Sequence, residues 1–316
     1  MLRLSAIDHD DFGSTRPKIV NVIDSKSSQR DHSEKPVRTF SHPALAQSDR
    51  GEPDISSGGS VIDADRSFLA ICILLFIGST IATVTICLAM AQLGEVPMAG
   101  GWSMSTAWTP LCGGSWFAAA AAFLGMWALM TTAMMLPSLT PVLWRLRASA
   151  ARAGATRPDL FAALTGCAYL LVWSALGLAI FAGGALLLEA ALRWPLLARA
   201  VPLAAGVVVI AAGLFQMSHW KLAMLAHCSH VAGQGAGAAA AIRQGLCLGL
   251  ACCVSCAGLT ALLIIGGVMD LRGMAILALA ITAERLAPAG GRVAGATGGL
   301  MLGAGGVQFA RALWLL

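Results

Sequence analysis

Charged residues are scarce: Asp, Glu, Lys and Arg make up 12% of the 316 residues, against 57% hydrophobic. Long uncharged runs are solvated only by lipid or by one another, which excludes a soluble domain and predicts a polytopic membrane protein. The formal net charge of +5 does not point to nucleic acid, because the arginines stand at the ends of apolar runs, where membrane orientation accounts for them. The arrangements that ordinary catalysis needs are also missing: there is no nucleophile–base pattern, no phosphate loop and no paired-carboxylate site, so an enzyme is not expected. No internal repeat is evident, which counts against an inverted-repeat transporter. The start has no short charged region leading into an apolar core, so a cleaved secretory signal is not expected. Nor do the nine cysteines read as a disulfide framework, since Cys72, Cys87 and Cys167 are scattered through apolar runs as small hydrophobes.

Residues 1–65 are polar, mixed in charge and without sustained periodicity; they bury too little apolar area to offset ordering entropy, which predicts a disordered tail. Residues 66–316 read as an all-α transmembrane bundle of about seven spans, near 67–90, 116–147, 160–188, 201–217, 244–269, 274–288 and 298–316. Arg145, Arg147, Arg152 and Arg157 form the strongest positive cluster, which places that loop and the N-terminus in the cytoplasm. The first connection, free of Lys and Arg, then lies outside, with Trp102, Trp108 and Trp116 suited to an interfacial belt.

The second span carries an unusual run, MWALMTTAMMLPSLTP. At about 100° per residue, Trp127, Met130 and Met134 fall nearly on one line with Met126 beside them, and Met135 adds a fifth large side chain. Pro137 and Pro141 interrupt the backbone ladder and free carbonyls one turn earlier. Methionine is a flexible filler of irregular cores, and the stripe alone favours packing. Soft ligands elsewhere shift that balance, because thioether and thiolate select Cu(I) and imidazole also suits copper.

Those ligands fall in two places. The end of the fourth span holds His219, Lys221, Met224, His227, Cys228 and His230 within one short run, with Met224, His227 and Cys228 on one face if it stays helical. The fifth span holds Cys252, Cys253 and Cys256, whose three- and four-residue spacings can present two sulfurs to one site, while Cys247 points nearly opposite. Small residues also line tight helix contacts, so close packing remains a second explanation for the cysteines. Paired Cys/His spacing of the structural-zinc kind is absent. Glu284 beside Arg285 fits either a functional ionisable pair or plain solvation at a span end.

At three stretches the chain resembles DUF2182, a family of bacterial integral membrane proteins expected to bind metal: residues 126–141, 212–230 and 252–288. The resemblance covers about residues 115–310. It implies a copper-handling protein of the inner membrane, some relatives acting as copper chaperones that metallate a copper-dependent enzyme. Met126, Met130, Met134, Met135, Lys221 and Cys228 match the family pattern. Met224 stands near the place of a first cysteine, and Ser229 replaces an arginine that often follows the second.

The leading expectation is a multi-pass protein of the lipid bilayer that binds Cu(I) between the methionine span, the His/Cys segment and the cysteine span, then passes it to a copper-dependent acceptor. A transporter of a metal or small solute is one alternative. A membrane assembly protein whose sulfurs merely pack is another.

Overall fold

A computed structural model describes residues 55–92, 94–99, 101–105, 108, 114–221, 237–287 and 290–315. The chain forms seven long helices among these residues: α1 (Ile55–Ala91), α2 (Trp116–Arg152), α3 (Pro158–Arg193), α4 (Pro195–Gln216), α5 (Ala238–Gly266), α6 (Leu271–Leu286) and α7 (Gly290–Leu315). The expected all-α class holds, with one addition. Between α1 and α2, β1 (Glu95–Pro97) pairs antiparallel with β2 (Ser103–Ser105), placing Val96 opposite Met104. Gly101 turns the hairpin at a φ of +74°, and Met98 N–H closes it on the Trp102 carbonyl at 2.9 Å.

The helix ends follow local chemistry. Ser115 caps α2 by accepting from Ala118 N–H at 3.2 Å, and Asp270 caps α6 by accepting from the backbone of Arg272 and Gly273 at 3.1 and 3.0 Å. Trp194 alone separates α3 from α4, because Pro195 cannot continue one helix yet suits the first position of the next. α1 begins at Ile55, inside the stretch assigned to the tail, since a helix nucleated in an apolar span propagates cheaply into its flank. Residues 1–54 lie outside the described residues.

Among the described residues, five helices are long and apolar enough to cross a membrane, with spans Asp65–Ala91, Trp116–Arg152, Pro158–Arg193, Pro195–Gln216 and Ala238–Gly266. The remaining two of the seven expected spans fall short for different reasons. α6 has 16 residues, about 24 Å at 1.5 Å per residue, below the roughly 30 Å of a hydrocarbon core. α7 has 26 residues, but its many glycines, Gln308 and Arg311 lower its hydropathy.

Small residues bring the helices together. On α5, Gly245 lies against the Thr165 carbonyl of α3, where an added Cβ would stand 2.3 Å from that oxygen. On α3, Gly177 leaves the space filled by the Trp127 ring, 2.4 Å from where a Cβ would be. α4 packs along α7, and α1 packs on α2. At one end of that contact, buried Arg147 pairs with Asp65 of α1 and Asp159 of α3, and its guanidinium lies 5.7 Å from the Phe68 ring centroid. A largely apolar cleft of about 840 Å³ runs beside this contact, bordered by Phe68 and Ile71 of α1, Met135 and Leu139 of α2, and Tyr169 of α3. Of the tryptophans expected in an interfacial belt, Trp116 is exposed, but Trp108 is buried against Phe123, with ring centroids 5.1 Å apart. Trp108 is thus part of the buried core. Trp102 is partly buried and donates to the Ala198 carbonyl at 2.8 Å.

Candidate metal centre

The methionine stripe faces inward. Met126, Met130, Met134 and Met135 are all buried, beside a Trp127 that is fully enclosed and donates through Nε1 to the Trp173 carbonyl at 2.9 Å. α2 continues through Pro137 and Pro141 to Arg152 as one helix. Met130, Met134 and Met135 line a narrow void together with Leu259 of α5 and Ile281 of α6; Met126 is not among its walls. Met135 also borders the α1–α3 cleft, so it has a space on either side.

One turn away stands a pair of thiols. Cys252 and Cys256 occupy the same face of α5 by their four-residue spacing, both are buried, and their sulfurs lie 3.9 Å apart. The Tyr169 hydroxyl meets Cys252 Sγ at 2.9 Å, and Arg285 Nη2 donates to Ser255 Oγ at 3.2 Å and to Cys256 Sγ at 3.8 Å. The relation to the methionines follows from the register of two helices. Leu259 and Ile281 share the methionine void, while Cys256 and Arg285 meet each other. Moving from the first contact to the second goes back along α5 and forward along α6, so the helices are antiparallel there and the thiols form the next layer, about 5.4 Å on. Cys247, expected on the opposite side, is exposed, whereas Cys253, whose three-residue spacing to Cys256 also allows a pair, is only half-buried.

A buried polar lock sits beside the thiol layer. Lys221 donates from Nζ to Glu284 Oε2 at 2.6 Å, with side-chain exposures of 0% and 3%. Glu284 Oε1 accepts from Thr297 Oγ1 at 2.9 Å and from Gln216 Nε2, which also donates to Thr297 at 3.0 Å. Adjacent residues on a helix diverge by about 100°, so Glu284 points to this lock while Arg285 points to the thiols. Solvation at a span end therefore does not describe Glu284: it is enclosed, and its partner is the lysine of the His/Cys segment.

That segment is only partly in view. His219 is exposed and takes no part in the thiol layer, and Met224, His227, Cys228 and His230 lie outside the described residues. No group of three His, Cys, Asp or Glu side chains that could hold a metal converges among the described residues. Tyr169, Ser255 and Thr297 are contacts that spacing does not reveal, because each meets its partner across the bundle or through a bend of one side chain. A lone buried Tyr or a Thr in a glycine-rich helix gives no periodic signal.

A 40-residue stretch is 58% identical to part of a Nitrobacter winogradskyi protein described as protein-glutamate methylesterase/protein-glutamine glutaminase. That stretch covers 13% of this chain and 9% of that protein, a match too short to carry an activity across. No solved structure matches the chain. The copper chaperone family PpoB2 matches residues 124–308, from the start of the methionine stripe to the middle of α7 and more than half of the chain. The chain therefore belongs to the PpoB2 family of copper chaperones, and its role is copper-related.

Proposed function

We propose that this protein is a multi-pass protein of the bacterial inner membrane that holds Cu(I) at the thiol pair of α5 and hands it to a copper-dependent acceptor enzyme. The observation that carries the reading is the 3.9 Å separation of the Cys252 and Cys256 sulfurs in a buried, methionine-flanked layer. At the roughly 2.3 Å metal–sulfur length of thiolate sites, both sulfurs reach one ion placed between them. Soft donors suit Cu(I), and among the described residues no group of three His, Cys, Asp or Glu side chains converges to favour a harder ion.

Met130 and Met134, one layer along, are neutral thioethers. They supply weaker, replaceable contacts through which the ion exchanges by ligand substitution, whereas Cys252 and Cys256 retain it. Met224, His227, Cys228 and His230 follow Lys221 in the chain, and we assign them to the exchange with donor or acceptor. Met126, Met135 and Cys253 are core residues in this reading rather than ligands.

Detergent-purified full-length protein, titrated with Cu(I) against a chromogenic chelator, tests the reading. Stoichiometric binding that is lost in Cys252→Ser/Cys256→Ser at unchanged thermal stability is the expected result. Binding that survives the double substitution, or no competition by the folded wild type, overturns it. Transfer to an acceptor is then read directly by mixing the loaded protein with an apo copper enzyme and following its activation.

A further inference from the structure

Cu(I) held by Cys252 and Cys256 leaves a charge to be compensated. Thiols ligate as thiolates, so two of them around one Cu(I) carry a net charge of −1. Both sulfurs are buried, where an uncompensated anion costs far more than in water. Among the described residues, Glu284 can only add negative charge, and it is held by Lys221 at 2.6 Å. Among the described residues, the cation that meets the Cys256 sulfur is Arg285, whose Nη2 lies 3.8 Å from Sγ.

Its placement is fixed from two directions. Ser255, fully buried, gives its own hydroxyl proton to the Cys252 carbonyl at 3.0 Å and so turns an oxygen lone pair toward Arg285, which donates to it at 3.2 Å. On the neighbouring position, the bonds from Lys221 and Thr297 to Glu284 fix the rotation of α6 at this level. The guanidinium is thus held beside the thiol pair by the backbone register of two helices.

We propose that Arg285 is the specificity-determining residue of this site: its guanidinium compensates the anionic bis-thiolate complex of a soft monovalent ion and so weights the pair toward Cu(I) over divalent metals. The inference rests on the function proposed above. The sign follows from counting charge. The same two thiolates around a divalent ion have no net charge, so the guanidinium gains no attraction from that complex. Taking the positive charge away penalises the Cu(I) complex and leaves the divalent one unharmed. If sulfur softness alone set the preference, the ratio of Cu(I) to Zn(II) affinity would not depend on Arg285.

The test compares full-length wild type, Arg285→Met, Arg285→Lys and Cys252→Ser/Cys256→Ser in detergent. Cu(I) and Zn(II) affinities are measured by chelator competition, and the ultraviolet thiolate-to-Cu(I) charge-transfer band reports ligation independently. Arg285→Met is expected to weaken Cu(I) binding about 10- to 100-fold, the usual scale for a partner just outside the ligand shell, while Zn(II) binding holds or strengthens. Arg285→Lys restores most of the Cu(I) affinity. If Arg285→Met fails to fold, Arg285→Gln removes the charge while keeping a donor for Ser255 and carries the same comparison. Unchanged Cu(I) affinity in the neutral variant, or equal losses for both ions, overturns the assignment. If instead the cysteine double variant binds Cu(I) as well as wild type, the functional reading itself falls, whatever Arg285 does.

Discussion

Lys221 and Glu284 are 63 positions apart in the chain and meet across 2.6 Å with almost no exposure to solvent. Such a pair does little for net stability, since desolvating two charges offsets most of their attraction. What it does supply is register: it ties the segment that follows α4 to the end of α6, where Arg285 turns toward the Cys256 sulfur. The expected cost therefore appears when one partner is removed and the other is left buried and charged.

Lys221→Met is expected to destabilise the protein by about 3–5 kcal/mol, as broken buried ion pairs do. Lys221→Met/Glu284→Leu should regain much of that loss, because no charge is stranded. Thermal unfolding in detergent decides it: a double variant as unstable as the single one would mean that the pair is worth more than its register.

The seat of Trp127 is tested at Gly177. A methyl group there would stand 2.4 Å from the ring, and the ring cannot retreat without losing its bond to the Trp173 carbonyl. Gly177→Ala is expected to cost about 1–3 kcal/mol, the usual range for overpacking. A shift in tryptophan fluorescence should accompany the lower unfolding temperature; an unshifted spectrum at full stability would refute the close contact.

Met130→Leu/Met134→Leu separates packing from ligation. The exchange conserves volume, so its stability cost should stay below about 1.5 kcal/mol. If the thioethers assist exchange, Cu(I) release to a competing chelator slows in this variant while equilibrium retention by the cysteines persists. Stopped-flow release kinetics identical to wild type would return both methionines to packing alone.

Arg147 joins three helices through Asp65 and Asp159. Both acids keep some access to solvent, so Arg147→Met should cost only about 2 kcal/mol, on the scale of hydrogen bonds to charged groups. The loss should concentrate in α1, which packs on α2. Limited proteolysis is expected to cut before the start of the span at Asp65 faster than in wild type, and an unchanged pattern would show that apolar packing alone holds α1.

The bundle and its sulfur-rich interior are legible in the sequence because both are periodic. Hydropathy places the long helices, and the 100° rule puts Trp127, Met130 and Met134 inside and Cys252 with Cys256 on one face. What spacing does not convey is which faces meet. Glu284 and Arg285 read equally well as solvated residues until Lys221 and Cys256 are seen against different faces of α6. Trp108 reads as a belt residue because a loop tryptophan and a core tryptophan have the same composition around them; its burial against Phe123 is a long-range contact that no local spacing announces. Of the seven expected spans, α6 and α7 do not reach the length and hydropathy of a membrane crossing, the first because it has 16 residues and the second because of its glycine content.

Tyr169 borders the α1–α3 cleft and reaches the Cys252 sulfur with its hydroxyl, and Met135 stands between the same cleft and the methionine void. The partition between an 840 Å³ apolar space and the buried sulfurs is accordingly a single side chain deep. Its insulation depends on how tightly the Tyr169 and Met135 side chains fill their seats.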